Sequence, residues 1–416
     1  MSVLIKNISS LVTVNSKGKG FKAGKTIRDL GEIQNGAMLF SDKIEWLGTN
    51  YEAEMRIENQ DIKPEKIFSA QGKTIMPGFV DSHTHIVFAG NRSFEFAKRL
   101  RGATYQEIAA AGGGIQATLK ATRNATVDEL VANGTKLAMS AINHGTTAME
   151  IKTGYGLTIE SEMKMLRAID ILKKTLPIDI TATFLGAHDF PPEFKADKQK
   201  YIDLICNELL PMVAESGIAT YCDAFVDRGF YTISQAEQIF NRAKELGLKI
   251  KIHADELFDV DAAGLAAKVG AVSSDHNLFI SDKNIEALKN AGTVITLMPG
   301  TAYFIHMPYA PARKIIDSGA IVALATDCNP GSCYTENMQM VLSLAVINMK
   351  MTAEEAIAAA TINGAKAIEK SKTMGSLETG KCANFIITNT SSFTEMLYHF
   401  GLNHVEQTWV NGERIS

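Results

Sequence analysis

The rhythm of apolar and polar positions changes twice along this chain and divides it into three stretches. Residues 1–76 carry short apolar runs, such as Val3-Leu4-Ile5 and Gly36-Ala37-Met38-Leu39-Phe40, between Gly, Asn, Ser and Lys clusters that read as turns. This is β texture. From Pro77 onward, strand-like runs alternate with stretches of helical apolar spacing. Strands are predicted at Phe79–Ser82, Thr146–Lys152, Ile178–Leu185, Tyr221–Val226, Leu248–His253, Ala271–Asp275, Thr293–Leu297 and Ile321–Asp327, and helices at Glu160–Lys174, Ile202–Ala214, Ser234–Leu246 and Ser281–Asn290. Eight strand–helix units in roughly 250 residues predict an α/β fold of the (β/α)8 TIM-barrel type. A doubly wound open sheet is the competing arrangement, and the number of units favours closure.

After a helical stretch around Ala353–Glu369 the β texture returns. Gly375–Lys381 leads into Asn384–Ile387, and Val405–Val410 precedes an Asn411-Gly412 turn. Neither terminal segment has enough strands to hide its own faces. Residues 1–76 and 371–416 are therefore expected to pair into one small flanking β-sandwich, outside a catalytic barrel spanning 77–370.

Composition narrows the class without naming a chemistry. At 416 residues the chain can bury a large core, and 46% hydrophobic with 21% charged residues is ordinary for a globular enzyme. A net charge of −4 and a pI near 6.2, with no basic block, argue against a nucleic-acid or anionic-membrane surface. The five cysteines, at 206, 222, 328, 333 and 382, lack framework spacing and read as reduced thiols. No leader-like segment opens the chain and no apolar run approaches about 18 residues. A cytoplasmic protein without membrane contact is expected.

The chemistry starts at His83-Thr84-His85. On a strand, alternate side chains share a face, so the two imidazoles point the same way and can hold one metal ion. Barrel enzymes place function at the C-terminal strand ends. There the chain also supplies His188 after strand three, His253 with Asp255 and Glu256 after strand five, Asp275-His276 at strand six, and Asp327 at strand eight. Five of nine histidines fall at such ends, which satisfied core histidines do not explain. Three neutral imidazoles and a carboxylate suit zinc, and the same donors serve iron(II). Glu256 and His276 fit proton transfer beside such an ion. This is hydrolytic equipment. His144 reads as a helix-end cap, Cys328 and Cys333 as packed thiols, and His306, His399 and His404 receive no role. The Gly112–Gly114 run lacks the ending of a phosphate loop and reads as a lid segment.

The combination of an H-x-H on strand one, histidines after strands five and six, an aspartate after strand eight and a flanking β-sandwich resembles the amidohydrolase superfamily. Within it, several segments resemble the imidazolonepropionase family: Phe88-Ala89-Gly90-Asn91-Arg92, Gly102-Ala103-Thr104-Tyr105 with Ala111–Ile115, Glu150–Leu157, Thr183–His188, Lys251–Leu257, Tyr309–Arg313 and Asp327–Ser332. The resemblance is weaker before residue 70. It implies hydrolysis of the ring amide of 4-imidazolone-5-propanoate to N-formimidoyl-L-glutamate in histidine breakdown. It also implies one zinc or iron ion per chain, on His83, His85, His253 and Asp327. The catalytic set would be Glu256, His276 and Asp327; Arg92, Tyr105, Tyr155, His188, Glu256, Asn329, Gly331 and Ser332 would line the substrate site. The expected partner is a small carboxylate-bearing heterocycle, and a homodimer is a candidate assembly. Arg92 suits an anionic tail because its planar fork grips a carboxylate in two places. Gly331 and Ser332 are expected to offer backbone N–H groups near the metal. Asn277 stands where the family commonly has Leu, and Cys328 where it has Phe. Lys152 lies on strand two, so it is not expected to bridge a second metal. The nearest rival is a deaminase with the same metal set.

Strand parity yields one expectation that owes nothing to the family. If His253 points into the barrel, so does Lys251, while Ile250 and Ile252 face the helices. Asp81, Glu150 and Lys152 should point inward too, and a buried lysine requires an anionic neighbour. An ionic layer is therefore expected under the metal, with Lys251 within reach of Asp81 or Glu150.

Overall fold

The computed structural model describes residues 2–102, 107 and 113–416 of the chain. Tyr105 and part of the expected lid, including Gly112, lie outside the described residues. Five strands precede the barrel: β1 (Val3–Val12), β2 (Glu32–Phe40), β3 (Ile44–Thr49), β4 (Lys66–Ser69) and β5 (Thr74–Pro77). Three follow it: β14 (Phe385–Thr388), β15 (Val405–Val410) and β16 (Glu413–Arg414). They form one hydrogen-bonded path, β16-β15-β14-β5-β1-β2-β3, with β4 attached to β1. The expected pairing of the two chain ends is made by β14 against β5, Phe385 opposite Pro77 and Thr388 opposite Thr74. β1 changes neighbour near Asn7 (φ 56): residues 3–6 run beside β4, and 10–11 beside β5. Such a switch lets one sheet fold into two layers. Between them Phe40, Phe385 and Trp409 pack edge-on and stacked, at centroid distances of 5.0–5.5 Å. The Asn411-Gly412 turn is fixed by contact: at Gly412 (φ 74) an added Cβ would fall 1.6 Å from the Ser41 carbonyl oxygen.

The barrel strands are β6 (Phe79–Asp81), β7 (Thr146–Lys152), β8 (Asp179–Ala187), β9 (Ala219–Val226), β10 (Lys249–Ala254), β11 (Ser273–His276), β12 (Val294–Leu297) and β13 (Val322–Leu324). Each pairs in parallel with the next in chain order. The first and last strands stop short of their predicted ends, and the segments beyond them complete the ring. Thr84 bridges Cys328 in parallel, Asp327 N–H donates to His83 O at 3.0 Å, and His85 N–H donates to Cys328 O at 2.9 Å. The closing seam of the barrel is thus the metal-ligand candidates' own backbone.

Parity sorts the strand side chains as expected. Ile250 and Ile252 join Ile239, Phe240 and Leu265 of the surrounding helices in the main apolar core. Met149 and Ile151 of β7 pack with Leu137, Ile142 and Ile169. The helices begin where sequence provides caps. Thr126 and Glu129 form a reciprocal capping box for Val127–Asn143, as do Thr232 and Gln235 for Ile233–Glu245. His144 closes the first of these helices with its Nδ1 2.8 Å from Ser140 O. Among the described residues, no helix is long and apolar enough to cross a membrane.

Candidate active site

His83 and His85 leave β6 in extended backbone, and their Nε2 atoms approach to 3.2 Å. Asp327 Oδ1 lies 3.5 Å from both. Its other oxygen accepts a 2.6 Å hydrogen bond from Thr301, so Oδ1 is the one left facing the imidazoles. Asp327 takes this position with φ 53, a left-handed conformation that non-glycine residues adopt at a cost.

His253 completes the cluster from β10, its ring 4.5 Å from that of His83, and His276 from β11 stands 5.2 Å from His253. The donor atoms of His83, His85 and Asp327 lie within 4.8 Å of one another, as do those of His83, His253 and His276. His83 is the shared vertex. All of these side chains are buried.

Protonation follows from that burial. Desolvation, reinforced by the neighbouring cations and imidazoles, holds His83, His85 and His276 well below the ordinary imidazole range, so the rings are neutral. His83 places Nδ1 2.7 Å from Asp275 Oδ2. A carboxylate accepts, so the proton sits on Nδ1 and the Nε2 lone pair faces His85 and Asp327. Two imidazole nitrogens and an anionic oxygen converging in a dry site call for a cation between them. Both ring nitrogens of His253, and Nδ1 of His85 and of His276, are buried without a hydrogen-bond partner. His253 Nδ1 comes within 3.0 Å of Asp223 Oδ2, but off the hydrogen-bond axis, and Asp223 Oδ1 instead takes the His253 backbone N–H at 3.2 Å. The donor set fits a zinc- or iron-type ion.

Glu256 follows on the β10 loop, its Oε2 3.6 Å from His276 Nε2. Burial first, then the carboxylates of Asp327 and Asp227, push its pKa well above the usual range. Burial thus favours the uncharged form of both members of the Glu256–His276 pair.

Around this centre stand the substrate-site candidates. The Tyr155 ring lies 5.2 Å from His188 and 5.9 Å from His85. His188 Nδ1 is 3.0 Å from Gly154 O, which can only accept, and burial lowers the His188 pKa to about 3. His188 therefore keeps its proton on Nδ1 and presents Nε2 as an acceptor. Arg92 reaches over the strand-eight loop: a Cβ on Gly331 would meet its Nη1 at 2.3 Å. Its Nε pairs with Glu95 at 2.9 Å.

One expectation fails here. The N–H groups of Gly331 and Ser332 do not point to an ion; both donate to Asn329 Oδ1 at 2.8 Å, while Asn329 Nδ2 donates to Asp327 O at 2.7 Å. An Asn side chain that bonds backbone two and three residues ahead closes a local turn, and this competes with an open donor loop. Asn329 thereby fixes the loop against the Asp327 backbone. Asp223, Asp275 and Thr301 received no role from sequence, although parity along β9 and β11 was a usable signal for the two aspartates. Asn277 has φ 58 and bonds Ser274 through both side-chain atoms, at 2.7 Å each. Cys328 and Cys333 are buried, and all five cysteines are free thiols.

Residues 74–415 match the model of the amidohydrolase family. Among curated proteins, the imidazolonepropionase of Alkaliphilus metalliredigens is 41% identical, over 100% of this chain and 98% of that protein. The imidazolonepropionase of Geobacillus sp. (strain WCH70) is 43% identical, over 99% and 97% respectively. Among solved structures, Escherichia coli guanine deaminase aligns with a TM-score of 0.70 at 16% identity, covering 100% of this chain and 99% of that one. A triazine hydrolase variant aligns at 0.71 and 14%, covering 99% and 94%. These structural likenesses speak to the fold.

Proposed function

Because the chain belongs to the imidazolonepropionase family of amidohydrolases, we propose that it hydrolyses the ring amide of 4-imidazolone-5-propanoate to N-formimidoyl-L-glutamate in histidine degradation. The observation that carries this reading is the convergence of His83 Nε2, His85 Nε2 and Asp327 Oδ1 within 3.5 Å, beside the Glu256–His276 pair. His83, His85, His253 and Asp327 would hold one zinc or iron ion per chain. When bound, the ion supplies Lewis acidity toward the ring carbonyl and acidifies a water.

The chain's own residues do the rest. His276, kept neutral by burial, receives the proton of the attacking water. Glu256, whose protonated form burial favours, delivers its proton to the departing ring nitrogen. Arg92 grips the propionate tail, with Gly331 leaving room for its guanidinium. Tyr155 flanks the ring, and His188 Nε2 accepts a hydrogen bond from a ring N–H. Tyr105 belongs to the same proposed set. Asn329 and Ser332 shape the loop below the substrate. The domain division at residues 76 and 370 is retained in this reading, with a homodimer as the candidate assembly. Free thiols throughout and a net charge of −4 fit a cytoplasmic enzyme without a nucleic-acid partner.

The test is turnover of 4-imidazolone-5-propanoate, followed by its loss of ultraviolet absorption and by ammonia assay. Substrate consumption without ammonia is expected. Ammonia release in step with turnover would mean a deaminase.

A further inference from the structure

The turn that carries Tyr155 leans on a carboxylate that has no part in the chemistry. Glu162, in the first turn of the helix Ile159–Thr175, is fully buried. Its Oε1 accepts the N–H groups of Gly156 and Leu157 at 2.8 and 2.9 Å, and its Oε2 accepts that of Gly154 at 3.2 Å. The carbonyls of the same turn are held from the other side. Arg123 Nε donates to Gly156 O at 2.7 Å, and the Gly154 carbonyl receives His188 Nδ1–H. The turn has no slack. An added Cβ at Gly156 would fall 2.6 Å from the Ser161 backbone, and one at Gly154 (φ 110) 2.8 Å from Leu185 O.

We propose that Glu162 is a positioning residue for recognition of the heterocyclic substrate: by fixing the Gly154–Leu157 turn it sets both the Tyr155 ring and the tautomer of His188. The inference rests on the reading that Tyr155 and His188 face the substrate. Three main-chain donors converge on one carboxylate, and a single hydrogen-bonding step separates it from His188. The two Glu162 oxygens divide the work. Oε1 holds the end of the turn near the helix, and Oε2 alone holds Gly154, whose carbonyl orients His188. While that carbonyl stays in place, His188 carries its proton on Nδ1 and offers Nε2 as an acceptor, which selects substrates presenting a ring N–H. If Gly154 moves, His188 can present N–H instead, and that selection is lost.

Glu162→Gln separates the two oxygens. The amide oxygen can keep Gly156 and Leu157, but its NH2 then faces the Gly154 N–H, donor against donor. In the zinc-loaded protein this variant should raise KM about 10-fold with kcat within twofold, at unchanged metal content. Ring 15N shifts of labelled histidine, with His188 assigned by its loss in His188→Gln, should show a single Nδ1–H tautomer in the parent and a mixture in Glu162→Gln. Should Glu162→Gln not fold, Arg123→Gln loosens the same turn from its carbonyl side and carries the same KM and tautomer expectations. An unchanged KM and tautomer in the folded variant, with Tyr155→Phe and His188→Gln both raising KM, would overturn the anchoring role and leave the substrate site standing. If neither Tyr155→Phe nor His188→Gln moves KM, the substrate-site reading fails and takes this inference with it.

Discussion

Lys251 reaches across the barrel to Glu150, Nζ to Oε2 at 2.7 Å, with both side chains sealed from solvent. The other Glu150 oxygen is 2.9 Å from Lys152, whose ammonium also lies 2.8 Å from Asp223 and 3.6 Å from Asp275. Two lysines and three carboxylates thus form a closed ionic layer beneath His83 and His253. Asp81, the other anion considered for Lys251, is engaged elsewhere: it accepts from Thr326 N–H at 3.0 Å and from the Thr326 hydroxyl at 2.6 Å, tying β6 to the end of β13.

Within this layer Glu150 serves two lysines; Lys152 keeps Asp223 if Glu150 is lost, whereas among the described residues Lys251 has no second carboxylate within ion-pair distance. Lys251→Met leaves Glu150 paired with Lys152. Glu150→Gln leaves Lys251 without a carboxylate in ion-pair distance, held by neutral oxygens such as the Ser82 carbonyl 3.0 Å away. Removing one partner of a buried ion pair costs about 3–5 kcal/mol. Glu150→Gln should therefore lose about that much unfolding free energy, and more than Lys251→Met, in denaturant titrations of the metal-free proteins.

Asp275 and Asp223 stand behind two of the metal-ligand candidates. Asp275 fixes the His83 ring, and Asp223 fixes the His253 backbone while approaching its ring. Partners of this kind are worth about 10–100-fold in metal affinity. Asp275→Ala and Asp223→Ala should each weaken metal binding by about that factor in competition with a chromophoric chelator. An affinity unchanged in Asp275→Ala would mean that His83 needs no orientation from below.

The barrel and the ionic layer were legible from alternation alone, because parity within a strand is local. Lys251 with His253, and Glu150 with Lys152, need only a count of two. The partners of the histidines were not legible. His83 and Asp275 are 192 residues apart, and their meeting depends on how the ring closes. Strand ends were misjudged for a related reason. β13 ends at Leu324, and the segment from Ala325 on runs beside His83–His85 with Asp327 at φ 53, which apolar patterning does not encode. The Asn329 turn was missed although it is local: its amide oxygen takes the Gly331 and Ser332 N–H groups two and three residues ahead, leaving neither free for an ion.

Asp327→Ala should abolish turnover and reduce bound metal while the far-ultraviolet circular dichroism stays that of the parent. Thr301→Val is the gentler version. It deletes the 2.6 Å hydrogen bond on Oδ2 and lets the carboxylate rotate away from His83 and His85. A partial loss of metal by elemental analysis, between parent and Asp327→Ala, is the expected outcome. Full retention of both metal and rate in Asp327→Ala would exclude it from the ligand set.

Arg92 and Gly331 make the anion grip testable from both sides. Arg92→Ala should weaken substrate binding by about 2 kcal/mol or more, and Arg92→Lys by less, since charge remains but the planar fork does not. Gly331→Ala changes no charge. It brings a methyl to within 2.3 Å of Nη1 and so must push the guanidinium aside. Its KM should rise in the same sense as that of Arg92→Lys, with kcat little changed. A KM unmoved in Arg92→Ala would send the search for the carboxylate clamp elsewhere.

Asn277 explains itself by its backbone. At φ 58 it lies in the left-handed region, which Asn visits more readily than Leu because its short amide can bond locally. Here the amide does so twice, accepting from the Ser274 hydroxyl and donating to the Ser274 carbonyl, so that the turn after β11 is closed on itself. Asn277→Leu removes both bonds and leaves the buried Ser274 hydroxyl without its acceptor. A loss of about 1–3 kcal/mol is expected, read as a lower Tm at constant metal content. Because His276 precedes it with φ 76, a looser turn should also let that ring drift from Glu256, lowering kcat more than KM. If Asn277→Leu lowered Tm but left kcat at the parent value, the turn would serve stability alone, and the orientation of His276 would have to come from packing against His83 and His253, whose rings stand 5.4 and 5.2 Å away.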